Sequence, residues 1–198
     1  MFREKGSKQY TFVQNDLAKA AADPNTDWIV IVHHNQKYAA TKNYEIPDEN
    51  EWNVAYHPLF EQYNVDLVLQ GHQHNYQRTF PIKYNIDTPI NPIITDRNRN
   101  TYTNPEGQIY LTVGTGVNLH SLNGNKAHYM VITQDEEFGF LNVDVINNNM
   151  NINNNDGTTT LVGTFYANQD EDADNQGESA KEEQQEDIID QFTITKSK

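Results

Sequence analysis

An α/β fold is predicted from three observations. Twice, a segment with helical apolar periodicity precedes an unbroken apolar run of strand length, and each run ends in histidine. Past Gly107 the texture changes to short apolar runs at hairpin spacing, which predicts a mixed sheet with antiparallel closing strands.

The first unit opens with Tyr10 to Ala22, where Phe12, Val13, Leu17, Ala20 and Ala21 fall near one helical face and Asp23-Pro24-Asn25 stops the helix. Trp28 to Val32 follows as a strand expected to be buried on both faces, with His33 and His34 directly after it. The second unit reads as a short helix around Pro58 to Tyr63, with Leu59 and Phe60 inward. It continues into a strand from Val65 to Leu69 that runs into Gly71-His72-Gln73-His74. Open α/β sheets bind ligands outside the carboxyl ends of their strands, so both sets of histidines stand where a site is expected.

Ile109 to Val113, Tyr129 to Ile132, Phe138 to Val145, Thr160 to Tyr166 and Ile188 to Thr195 read as the closing antiparallel strands, and Asn147 to Asn155 as a solvated turn. Residues 1–168 are expected to form a partial domain, 169–187 an acidic disordered insertion, and 188–198 the terminal strand of the same domain.

Composition excludes several functions. The 198 residues carry a formal charge of -14, concentrated between Asp170 and Asp190, where ten carboxylates face one lysine. Such a chain repels phosphate backbones and anionic surfaces, which argues against a nucleic-acid groove. No run approaches the ~20 apolar residues of a membrane span. With no cysteine, thiolate ligands and a thiol nucleophile are excluded. The acidic stretch lacks the glycine turn and ligand spacing of a calcium loop. The first residues carry no apolar segment of the secretory kind.

The histidines carry the chemistry. At i and i+2 on a regular strand, His72 and His74 would point to opposite faces. On a loop after Gly71, whose backbone can turn freely, both are expected to present a nitrogen to one metal or to two adjacent metals. His34 is expected to join them across one helix-strand crossover. His33 is read either as a packing residue or as one that orients a ligand. His57, His120 and His128 are read as capping or surface residues.

Trp28-Ile-Val-Ile-Val-His-His34 together with Gly71-His-Gln-His-Asn-Tyr-Gln-Arg-Thr79 resembles the last two metal motifs of the calcineurin-like metallophosphoesterases, in the longer form found in the purple acid phosphatase branch. Asp16-Leu17-Ala18, Gly114-Thr115-Gly116 and Asp190 to Ile194 fit the same pattern. The resemblance implies the C-terminal half of a four-layered α/β/β/α sandwich. It also implies metal-dependent hydrolysis of phosphate mono- or diesters, with His34 and His72 on one metal, His74 on the other, and a hydroxide shared between the two. Iron, zinc or manganese all suit such ligands, and one ion or none is expected in the chain alone. Tyr76 and Arg78 follow the motif, and Arg78 is expected to touch phosphate or to brace the loop, with bracing favoured.

Three earlier motifs of the family are absent: the Asp-bearing strand end, Gly-Asp-x-x-Asp or -Tyr, and Gly-Asn-His. Gly124-Asn125 is followed by Lys126. An N-terminal half, in the parent chain or as a separate chain, is therefore the expected partner, and the chain alone is expected to show little turnover. Gln36 stands where relatives carry proline, and Lys42-Asn43-Tyr44 where plant relatives carry a proton-donating histidine, so no general acid is assigned. A full-length relative is expected to be extracellular or periplasmic. The rival expectation is a non-catalytic metal-binding or interaction module derived from such an enzyme.

Overall fold

A computed structural model describes residues 4–40, 49–122, 126–148, 157–168 and 187–197. Helix α1 spans Lys8–Ala22, begins where the Ser7 hydroxyl accepts the Tyr10 N–H at 3.1 Å, and stops at Asp23, before Pro24. Tyr10 and Leu17 form its buried face with Val13 partly buried beside them, whereas Phe12, expected inward, is 67% exposed. At 100° per residue, positions 10, 13 and 17 share a stripe that position 12 leaves.

Strand β1 is Val30–His33 and helix α2 is Glu49–Gln62. Helix α2 is much longer than the short segment expected and contains Pro58. Its buried face, Trp52, Ala55, Tyr56, Leu59 and Phe60, repeats at helical spacing, and this packing outweighs the one backbone bond that Pro58 cannot make. Strands β2 (Leu67–Gln70), β3 (Tyr76–Thr79), β4 (Ile82–Lys83), β5 (Ile93–Ile94) and β6 (Thr101–Thr103) follow. Then come β7 (Ile109–Val113), β8 (Met130–Gln134), β9 (Gly139–Asn148), β10 (Thr158–Ala167) and β11 (Asp187–Ser197).

Two main sheets result. The first has the order β1-β2-β7-β3-β8, parallel through β1, β2 and β7 and antiparallel from β7 onward. The second has the order β6-β11-β10-β9, antiparallel except that β6 runs parallel to β11. Strands β4 and β5 form a small ribbon. The closing strands thus divide: β7 and β8 complete the first sheet and β9, β10 and β11 build the second. Strands β3 to β6 fall in sequence that offered no apolar run. Asn147 and Asn148 end β9, while residues 149–155 of the expected turn and 169–186 of the expected insertion lie outside the described residues.

Successive strand side chains point to opposite faces, so the first sheet builds two cores. Val68, Tyr110 and Met130 pack with α1 and α2. Leu67, Tyr76, Ile109 and Leu111 pack against Leu161, Phe165, Phe192 and Ile194 of the second sheet. The layers run helix, sheet, sheet. At the strand starts, Asp66 accepts the Ile29 N–H at 2.9 Å and the Lys196 ammonium at 3.0 Å, tying β1 and β2 to β11.

Strand β1 departs from the expectation of burial on both faces. Ile31 and His33 face the helices, but Val30 is 39% and Val32 75% exposed on the side facing the second sheet. Strand β1 ends the first sheet and β9 ends the second. Between them the sandwich opens into a cleft of about 520 Å³ lined by Val32, Leu69, Val113, Leu141 and Val143, with His34 at its rim.

Candidate metal centre at the carboxyl ends of the strands

The ends of β1 and β2 are held side by side by their parallel pairing, His33 opposite Gln70, and by the Gly71 N–H donating to the His34 carbonyl at 2.9 Å. Past that point the two chains diverge and their side chains meet. The rings of His34 and His72, both exposed, lie edge to face with centroids 5.5 Å apart. The residue in the left-handed region is His72 itself, at φ 70°, rather than Gly71. A Cβ at Gly71 would lie 3.4 Å from the His34 ring nitrogen Nδ1, an ordinary contact, so neither space nor backbone angle demands a glycine there.

His74 is placed differently. Its ring stacks on that of His120, centroids 4.1 Å apart and planes 14° from parallel. Its Nδ1 lies 2.9 Å from the Asn118 carbonyl and its own carbonyl accepts the His120 N–H at 2.8 Å. The loop that presents Asn118 and His120 starts at Gly114, where any side chain would collide with the Gln73 carbonyl. Sequence reasoning read His120 as a capping or surface residue, and it is exposed, but its stacking on His74 was not foreseen. The available signal was the Gly114-Thr115-Gly116 turn, which ends a strand next to β2 and carries His120 four residues later.

The four rings therefore form two pairs, His34 with His72 and His74 with His120. Two imidazoles whose nitrogens sit about 2.0–2.1 Å from one ion hold their centroids on the order of 5 Å apart, so the first pair fits two ligands of a single metal. Among the described residues no group of three or more His, Asp or Glu is arranged to hold an ion.

His33 turns to the helix side, its ring 4.8 Å from that of Trp52. Tyr76 and Arg78 lie on β3 beneath the loops, both fully buried. Arg78 grips Asp190 of β11 with Nε and Nη2 at 2.6 and 2.7 Å, donates to the Tyr102 hydroxyl at 3.1 Å, and lies over the Phe192 ring. Tyr76 donates to the same carboxylate at 2.7 Å and stacks on Phe165. Burial works against the Arg78 charge, but the Asp190 carboxylate outweighs it and raises the guanidinium's pKa. Burial and the same carboxylate push the Tyr76 phenol well above its ordinary value. Arg78 thus joins the two sheets and does not line the open rim.

A buried amide network underlies the histidine loops. Gln36 donates to Thr112 at 2.7 Å and to Gln77 at 3.0 Å. Gln70 accepts the Lys37 N–H, and Gln77 accepts the Ala40 N–H and donates to Asn75. Asn75 reaches the His120 carbonyl at 3.3 Å. The loop after β1 and the loop that carries His120 are thereby linked through side chains of β2, β3 and β7.

The calcineurin-like phosphoesterase family matches residues 2–76, a stretch that ends just past the Gly71 to His74 motif. A purple acid phosphatase of Glycine max is 29% identical over 124 residues, covering 61% of this chain and 25% of its own. The purple acid phosphatase from yellow lupin (Lupinus luteus) seeds superimposes with a TM-score of 0.61 at 22% identity, over 98% of this chain and 29% of that one. By these matches the chain is similar to the purple acid phosphatase-like branch of the calcineurin-like phosphoesterases. A relative in Arabidopsis thaliana bearing the name "Probable inactive purple acid phosphatase 27" is 29% identical over 148 residues, 69% of this chain and 22% of its own. The chain spans about a fifth to a quarter of the length of such curated relatives. The mixed α/β sandwich with parallel and antiparallel strands is the fold of this metallophosphoesterase family.

Proposed function

We propose that this chain supplies the histidine side of a metal-dependent phosphoesterase site that hydrolyses phosphate mono- or diesters. The observation that carries the reading is the His34 and His72 pair, edge to face at 5.5 Å across the ends of two neighbouring parallel strands. His34 and His72 would hold one ion and His74, through Nε2, a second. Bound cations supply positive charge against the phosphoryl oxygens and bring the pKa of water toward ~7. The chain's own part is positional. The parallel pairing of β1 with β2 and the left-handed His72 set the first pair, and the loop from Gly114 holds His74.

The carboxylate and asparagine ligands would come from an N-terminal half, in the parent chain or separate. The open cleft beside β1, the exposure of Val30 and Val32, and the end positions of β1 and β9 support this. Apolar surface of that kind in two adjoining sheet ends is where further strands add. The absence of a three-ligand group among the described residues fits the same reading and its rival, a non-catalytic module.

The test is complementation. Mixed with the remaining part of the soybean relative, expressed separately and loaded with zinc or iron, the chain is expected to hydrolyse para-nitrophenyl phosphate. It should show little turnover alone and none in the mixture when His72→Ala is introduced. Turnover by the chain alone would contradict the need for a second half. A metal-loaded mixture that associates and stays inactive would favour the module.

A further inference from the structure

The contacts around His74 assign a role to a residue outside the metal motifs. We propose that the loop from Gly114 to His120 is the positioning element of His74: the Asn118 carbonyl fixes its tautomer and the His120 ring fixes its plane. The inference deepens the proposed function and rests on it for the ligand role of His74.

A carbonyl oxygen only accepts, so the 2.9 Å contact requires the hydrogen on Nδ1 of His74. In the neutral ring the lone pair then sits on Nε2, which makes Nε2 the atom offered to a metal. The ring plane is set by stacking on His120 at 4.1 Å, and two nearly parallel rings at that spacing cannot both aim nitrogens head-on at one ion. His120 is therefore a buttress and not a ligand. Three further contacts fix the buttress: its N–H donates to the His74 carbonyl, its carbonyl accepts from Asn75 at 3.3 Å, and the Gly114 N–H donates to the Asn75 carbonyl at 3.1 Å. Asn118, at φ 40°, holds the left-handed turn that aims its neighbours.

The loop thus meets His74 through a carbonyl, a ring and a backbone N–H. Orienting partners of ligating histidines typically change metal affinity by about 10–100-fold when removed.

The test uses the full chain with His120→Ala and His120→Phe. Phenylalanine keeps the stack and removes both nitrogens. Side-chain nitrogen NMR of the metal-free chain, above the ordinary imidazole titration range, reads the His74 tautomer. Zinc titration reads the affinity. The expected result is Nδ1–H at His74 in wild type and in His120→Phe, with both tautomers populated in His120→Ala. Zinc affinity should fall about 10–100-fold in His120→Ala and stay near wild type in His120→Phe.

Nε2–H at His74 in wild type, or unchanged tautomer and affinity in His120→Ala, would overturn the proposal. Equal loss of affinity in both variants would also overturn it, by making a His120 nitrogen a ligand. If wild type binds no zinc, the metal reading fails by itself, and the tautomer measurement still decides the positioning role.

Discussion

Arg78 and Asp190 are 112 positions apart in sequence and form an ion pair that joins the two sheets. Replacing Arg78 by methionine leaves the Asp190 carboxylate buried with the Tyr76 hydroxyl as its remaining donor. Stranding a buried charge in this way costs about 3–5 kcal/mol. Replacing both, Arg78→Met with Asp190→Leu, is expected to recover most of that loss, because apolar groups of similar volume carry no desolvation cost. Urea denaturation of the three chains measures this, and equal losses in the single and double variants would show that packing rather than the stranded charge is at stake. Arg78 stood out in the sequence through its place after the histidine motif, but its partner could not. No local pattern links a residue of β3 to one in the last strand, and only the stacking of the sheets brings them together.

Helix α2 carries a titratable group into the core. His57 is fully buried, its Nδ1 2.6 Å from the Tyr38 hydroxyl and its Nε2 3.6 Å from Glu61. Burial pushes the imidazole down to about 4, against the opposing pull of the Ile82 carbonyl and Gln108. A histidine whose pKa is lower folded than unfolded contributes stability that is fully present above ~6.5 and is lost as the pH falls toward ~4. The loss reaches about 3 kcal/mol at the acid end. His57→Gln, which can still hydrogen-bond Tyr38, is expected to show a flatter dependence in urea melts across that range. An unchanged slope in the variant would place the acid sensitivity elsewhere.

At this scale the sequence was legible where apolar period dominates, as in α1, β2 and β7, and less so elsewhere. Helix α2 extends well before Pro58 because aromatic packing decides its length. Strand β3 reads as polar because Gln77 and Arg78 are buried by hydrogen bonds and not by apolar surface. The one-sided exposure of β1 depends on which strands lie beside it, and a lone apolar run does not encode that.

Over the whole molecule, the helix-sheet-sheet layering and the gathering of His34, His72 and His74 at one end of the sheet follow from two helix-strand units whose strands end in histidine. Their division into two pairs was not readable from spacing alone. It depends on the left-handed turn at His72 and on the loop from Gly114, which brings His120 from 46 positions downstream of His74. The open cleft between β1 and β9 is the surface proposed for a completing half.

If these histidines form a working half-site, as proposed, the metal-to-protein ratio of the purified chain reads it directly. Elemental analysis should be run beside a His72→Ala/His74→Ala variant shown to keep its fold. About one metal per chain is expected, lost in the variant; a chain free of metal under zinc and iron loading, indistinguishable from the variant, would contradict a half-site.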